Sequence, residues 1–305
     1  MNFLHYHRIF LALCALLFSA QLIAAEAQTY KPFILAKTET SDMAGAVGKT
    51  KDALVKNGFQ VVGEYSPYKG ATILVISNEA LRNNAEQSEL GAYGAIQRVT
   101  LTESKDGIQI SYTNPIYMAQ VYRMKSDLAD VKAKLASTLG ESGEYGPEKG
   151  LSKEDLRDYH YKWLMPYFTD RLELASYPDQ QTALKKIDAI FKQGKSGVKK
   201  IYQVDLPNKP ETVIGVNMTG TGGNDCSGDE YIMSRIDFKK LKSTGHLPYE
   251  IVVSNGKVYT LHAEFRIAIN FPDLSMMGDN SFASIMCAPG AIKAALTKAV
   301  GGTAE

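Results

Sequence analysis

The chain has 305 residues, 45% of them hydrophobic, and its 34 basic and 33 acidic residues leave a formal net charge of +1. That length and apolar content suit two ordinary domains, each able to bury a core. The balance of charge gives no electrostatic reason for a nucleic-acid or anionic-membrane partner, and neither is expected.

At the N-terminus, His5, His7 and Arg8 precede an apolar run of about 17 residues, and Ala25-Glu26-Ala27 offers small residues at both positions read by signal peptidase. Residues 1–27 are therefore expected to be a signal peptide, cleaved near Ala27, which makes the mature chain periplasmic or secreted and free of any membrane span. Cys14 follows the bulky Leu13, contrary to a lipoprotein signal. Outside the leader two cysteines remain, Cys226 and Cys287. In an oxidising compartment an even pair is most simply a disulfide, the other reading being two separate buried thiols.

In chain order, residues 33–40 read as a strand. Ser41 or Asp42 then caps a helix whose Met43, Ala46, Val47, Ala53 and Leu54 share one face, and Gly58 ends it. Two strands follow at 59–65 and 71–77, then a short helical patch near 80–86. The pattern is clearest over 96–123. Val99 and Leu101, then Ile108 and Ile110, alternate with polar residues around the turn signal Asp106-Gly107. Asn114 stands at an N-cap position and Pro115 at the first helical one. Tyr117, Val121, Met124, Leu128, Val131, Leu135 and Leu139 continue as a helical stripe, with a possible break at Ser126-Asp127.

Residues 141–166 read as a polar connector, with the single tryptophan, Trp163, expected to dock it onto a domain. From residue 167 the order of elements repeats. A strand at 172–176 leads to a helix opened by Pro178-Asp179 and closed by Gly194, and two more strands follow. A hairpin around Asn255-Gly256, with its second strand running over 257–269, precedes a C-terminal helix. The expected fold is α+β: two tandem two-layer α/β domains, 28–140 and 167–305, each an antiparallel sheet with helices on one face and its own apolar layer. The two are expected to form a pseudo-dimer.

The helix ending in Asn57-Gly58-Phe59, Ser77-Asn78 after the central strand, Gly94-Ala95-Ile96 before the hairpin and Tyr112-Thr113-Asn114-Pro115 after it carry a resemblance to a known family. The first unit resembles the bacterial domain of unknown function 302 family over about 110 residues, and the second does so more weakly. The resemblance implies a two-layer domain whose sheet pairs with a second copy, and it brings no catalytic residue.

Motifs for haem attachment, phosphate loops, zinc hydrolases and serine-nucleophile elbows are missing from the sequence. Residues 220–225 are glycine-rich but lack a lysine and a following apolar helix, so they read as a loop. Tyr93, Arg98, Tyr112, Asn114 and Tyr117 form a candidate ligand site at the hairpin exit, where a helix N-terminus favours an anion or a polar group. The plainer account is that Asn114 caps its helix and the tyrosines pack the sheet. Met276, Met277, Met286 and Cys287, with His246 and His262, supply the soft donors of a copper site as an alternative. The main expectation is an exported binding or interaction protein without covalent chemistry or cofactor. Its partner is an unknown small ligand or an envelope protein, the groove between the copies is the site, and the assembly is a monomer or dimer.

Overall fold

Alternation and capping place the elements largely where the sequence puts them. In the computed structural model, which describes residues 28–194, 197–220 and 226–303, the first half contains β1 (Phe33–Glu39), α1 (Met43–Lys56), β2 (Gln60–Tyr65), β3 (Ala71–Ser77) and α2 (Glu79–Glu86). It continues with β4 (Gln97–Ser104), β5 (Gly107–Thr113), α3 (Pro115–Val121) and α4 (Ala129–Leu139). Asp42 caps α1 by accepting the Gly45 N–H at 2.8 Å, and Asn78 caps α2 through the Leu81 N–H. The stripe that begins at Tyr117 is two helices, parted where Arg123 and Leu128 adopt positive φ. The expected leader, 1–27, and all but Gly220 of the 220–225 loop lie outside the described residues.

The expected connector adds β6 (Gly143–Tyr145), which pairs antiparallel with β1, and α5 (Lys153–Arg157), which starts with a capping box at Ser152. The second half then runs β7 (Arg171–Ser176), α6 (Gln180–Gln193), β8 (Val198–Asp205), β9 (Glu211–Met218), α7 (Asp229–Ile236), β10 (Tyr249–Ser254), β11 (Lys257–Leu261), α8 (Ala263–Asn270) and α9 (Ala288–Ala299). Two expectations need correction here. The last strand stops at Leu261, because residues 263–270 form a helix buried on nearly every side, and periodicity cannot tell such a buried helix from a strand. Trp163 docks nothing, being 85% exposed. Tyr159 and Tyr161 anchor the connector instead, donating to the Ala268 and Leu274 carbonyls.

The fold is α+β with two antiparallel sheets. The first has the order β2-β3-β4-β5-β1-β6 and the second β7-β11-β10-β9-β8, so the five strands common to both halves are connected identically. Their irregularities recur as well. An extra residue bulges from the first strand of each half, Ala36 in β1 and Leu174 in β7, and another from the second strand, Val62 in β2 and Ile201 in β8. Helices α1 and α4 cover one face of the first sheet, and α6 and α9 one face of the second.

The opposite faces meet each other. A short 3-10 turn at Gly91–Gly94 lies on β9 and β10, and its counterpart at Thr244–His246 lies on β3, β4 and β5. Edge strand β2 approaches β8 so closely that a Cβ on Gly63 would stand 2.9 Å from the Tyr202 Cβ. The buried apolar residues of both halves join in one contiguous core, which corrects the expectation of two separate apolar layers: each half lays a turn onto the other's sheet. No helix among the described residues is long and apolar enough to cross a membrane.

Candidate binding site

All five residues of the candidate ligand site are buried, and they divide between two places. Tyr112 faces the helices and donates to the Gly140 carbonyl at 3.2 Å. Asn114 occupies the N-cap position of α3 without capping it, since its side-chain amide donates to the Lys31 carbonyl at 2.9 Å and so ties down the N-terminal segment. Tyr93, Arg98 and Tyr117 instead face the second half. The Tyr117 hydroxyl donates to the Ile269 carbonyl at 2.7 Å, and the Tyr93 ring packs against Tyr122 and Phe168.

Arg98 belongs to a buried charge cluster. Strand alternation turns Arg98, Thr100 and Thr102 of β4 away from the helices, towards the second half. There the Arg98 guanidinium donates to Glu250 of β10, and Arg266 of α8 reaches the other oxygen of the same carboxylate at 3.3 Å. The three side chains are 1–2% exposed. Arg266 also donates to the Tyr122 hydroxyl at 3.0 Å and the His246 carbonyl at 2.8 Å, while Tyr202 donates to Glu250 at 3.3 Å. Tyr202 gets there by lying across Gly215, where a Cβ would come within 1.9 Å of the ring, so only glycine fits. Burial, and then the Arg266 charge, pull the Arg98 guanidinium below its ordinary value. Burial followed by the two arginines holds the His246 imidazole well below its usual range, and it therefore stays neutral.

Two guanidinium groups around one carboxylate carry a net positive charge away from the protein surface. Such a cluster contributes little stability for its cost but fixes how its elements register, because any displacement leaves a charge unpaired. Further polar contacts cross the same seam. The Gln109 amide exchanges hydrogen bonds with the Lys242 peptide at 2.9 Å in both directions, the Ala92 N–H donates to Glu211 at 2.9 Å, and Thr244 contacts Tyr68 and Thr102 at 2.8 Å. The seam is closed, and the groove expected between the halves survives at its rim, as a cleft of about 490 Å³ between the 68–70 turn and α7.

Both ends of α7 carry a buried acid. The Asp229 carboxylate accepts from the Asn217 amide at 2.9 Å and the Met218 N–H at 3.3 Å, yet burial pushes its pKa up to about 7. Asp237 accepts the Ser243 N–H and is raised by burial to about 6.

A more open site lies elsewhere, in a cleft of about 900 Å³ between residues 151–162 of the connector and 272–276 of the second half. Glu154, Asp155, Asp158 and Asp273 line it against a single cationic side chain, Lys162, together with Tyr159, His160 and Tyr161. The rings are held in place: His160 stacks on Tyr167 at 4.5 Å and Tyr161 on Phe282 at 4.8 Å. The acids are partly engaged, Asp158 with Arg123, Asp273 with Lys239 and Asp155 in the cap at Ser152. Glu154 makes no ion pair among the described residues. Sequence reading missed this site because its residues lie more than 100 positions apart, in the connector and in the segment before the C-terminal helix, where of the cleft's residues only Met276 was singled out, as a copper ligand. It also missed Glu250 and Arg266, although a lone charge inside each of the apolar runs YEIVV and FRIAI was a visible signal.

The soft donors are dispersed in role. Cys226 and Cys287 form a disulfide with their Cα atoms 5.9 Å apart, so Cys287 offers no thiolate. Met277 and Met286 are exposed, Met276 borders the cleft, His246 is buried, and His262 occupies the N-cap position of α8 instead of a strand. Among the described residues no group of three or more His, Cys, Asp or Glu side chains is placed to hold a metal ion. Comparison of the chain with models of known protein families finds no match. None of the curated proteins matches it either.

Proposed function

We propose that the chain is an exported binding protein without covalent chemistry of its own, built from two copies of one α+β unit arranged as a pseudo-dimer. That unit resembles the domain of unknown function 302 family, and the shared strand order and recurring bulges support the duplication. The closed, charge-locked seam serves as scaffold, and the ligand sits in the cleft between residues 151–162 and 272–276. The observation that carries this reading is the lining of that cleft, four carboxylates against one lysine beside fixed aromatic rings. Such a lining selects a small ligand with a cationic group attached to a flat apolar one, the cation facing the acids and the ring stacking on tyrosine.

Titration of the full chain with tyramine and with its uncharged counterpart tyrosol tests it. Saturable chemical-shift changes at Glu154, Asp158 and Tyr161 with tyramine, weakened in the Glu154→Gln/Asp158→Asn variant and much smaller with tyrosol, are expected. No change at these residues, or equal binding of the two compounds, contradicts the reading.

A further inference from the structure

The two sheets differ at their outer edges. In the first half the chain leaves α4 at Gly140, turns back over the Ala36 bulge, where Ser142 donates from its N–H to the Leu35 carbonyl at 2.7 Å and from its hydroxyl to the Ala36 carbonyl at 2.8 Å, and runs as β6 along β1. Lys132 of α4 steers that strand by pairing with Glu141 at 2.8 Å and Glu144 at 3.5 Å. In the second half α9 ends at Ala299 with Val300 as its C-cap, and Gly302 lies so close to the carbonyl of the matching bulge residue, Leu174, that a Cβ there would stand 1.9 Å from it. No backbone hydrogen bond of the described residues reaches the outer edge of β7. A groove of about 500 Å³ lies there, walled by residues 173–176 of β7, by Gly290, Lys293, Ala294 and Thr297 of α9, and by Thr303 beyond the helix.

Lys293 stands eight residues before Gly301, as Lys132 stands eight before Gly140, and Lys293 makes no ion pair among the described residues. Gly290 and Ala294 leave the helix wall low enough for a backbone to lie beside the strand.

We propose that the β7 edge is a docking site for an extended, acidic segment of a partner protein, which adds antiparallel to β7 as a sixth strand with a carboxylate opposite Lys293. The chain's own β6 shows the chemistry of the occupant, and the unpaired lysine supplies the complementary charge. Strand addition of this kind takes its affinity from main-chain hydrogen bonds and its selectivity from flanking side chains. The proposal rests on the reading of the chain as a binding protein but not on the cleft at residues 151–162, and the two fail separately.

The test is an NMR titration of the full chain with a synthetic peptide of the sequence GESGEYGP, which copies residues 140–147. Saturable shifts and slowed amide exchange at Leu172 to Ala175, with none at β1, are expected. Lys293→Glu is expected to weaken binding roughly fivefold, and a peptide with both glutamates changed to lysine should recover it. No protection of β7 at millimolar peptide, binding elsewhere, or an affinity indifferent to Lys293→Glu overturns the proposal. So does a β7-mediated dimer that excludes the peptide, since the occupant is then a second copy. Loss of tyramine binding with peptide binding intact would overturn only the cleft.

Discussion

The first sheet and the second share strand order and bulge positions, yet among the described residues one outer edge gains a further strand and the other does not. Around the first half of β1 the edge is covered: β6 pairs with Phe33, Ile34 and Leu35, Lys132 holds its acids, and Tyr145 reaches across to the Lys242 carbonyl at 2.8 Å. Around β7 the matching helix and lysine are present and, among the described residues, the strand is not. The same contrast separates the inner seam, packed with paired charges, from the cleft at the connector, lined with partly satisfied ones. The two halves share a scaffold, and the proposed binding places are those where they differ, at the β7 edge and at the connector.

The largest effect is expected where the halves are locked. Glu250→Ala leaves two buried guanidinium groups facing each other and should cost about 3–5 kcal/mol in urea unfolding, whereas Glu173→Ala on the open edge should stay within about 0.5 kcal/mol. Equal costs would show that the seam is not the tighter region.

Next come the links of the second half. Reduction of the Cys226–Cys287 bond, which closes a loop of 61 residues, should cost about 2–4 kcal/mol. Asp229 has a folded-state pKa near 7, raised by burial from 3.8. Below about pH 4 the acid is protonated in both states and its burial carries no penalty. As pH rises from there through about 7, the unfolded chain ionises first and stability falls. Asp229→Asn keeps an acceptor for Asn217 and Met218, so it should flatten this slope and stabilise the protein at pH 8 by about 2–4 kcal/mol in thermal unfolding. An unchanged pH profile would place the titration elsewhere.

The smallest effect sharpens the contrast of the edges. Lys132→Ala should lose up to about 1 kcal/mol, because it releases Glu141 and Glu144, while Lys293→Ala should lose none that calorimetry detects.

Much of the architecture was legible because local rules and tertiary packing agree. Asp42, Asn78 and Asp179 cap the helices that follow them, and the hairpin strands alternate as buried strands should. Legibility failed where burial erased periodicity, as in α8, and where one segment serves both halves, as in the connector that supplies β6 and the cleft wall. Trp163 misled because an aromatic residue in a polar stretch suggests an anchor, and the neighbouring Tyr159 and Tyr161 do that work. The candidate ligand residues were chosen from one half. Arg98 needed its partner Glu250, 152 positions away, before its role could be read.

Amide hydrogen exchange on the full chain measures the difference between the two outer edges most directly. Strong, lasting protection is expected across residues 33–35, which lie between β5 and β6, and fast exchange of the outward amides in residues 171–176. Equal protection of the two segments would contradict it.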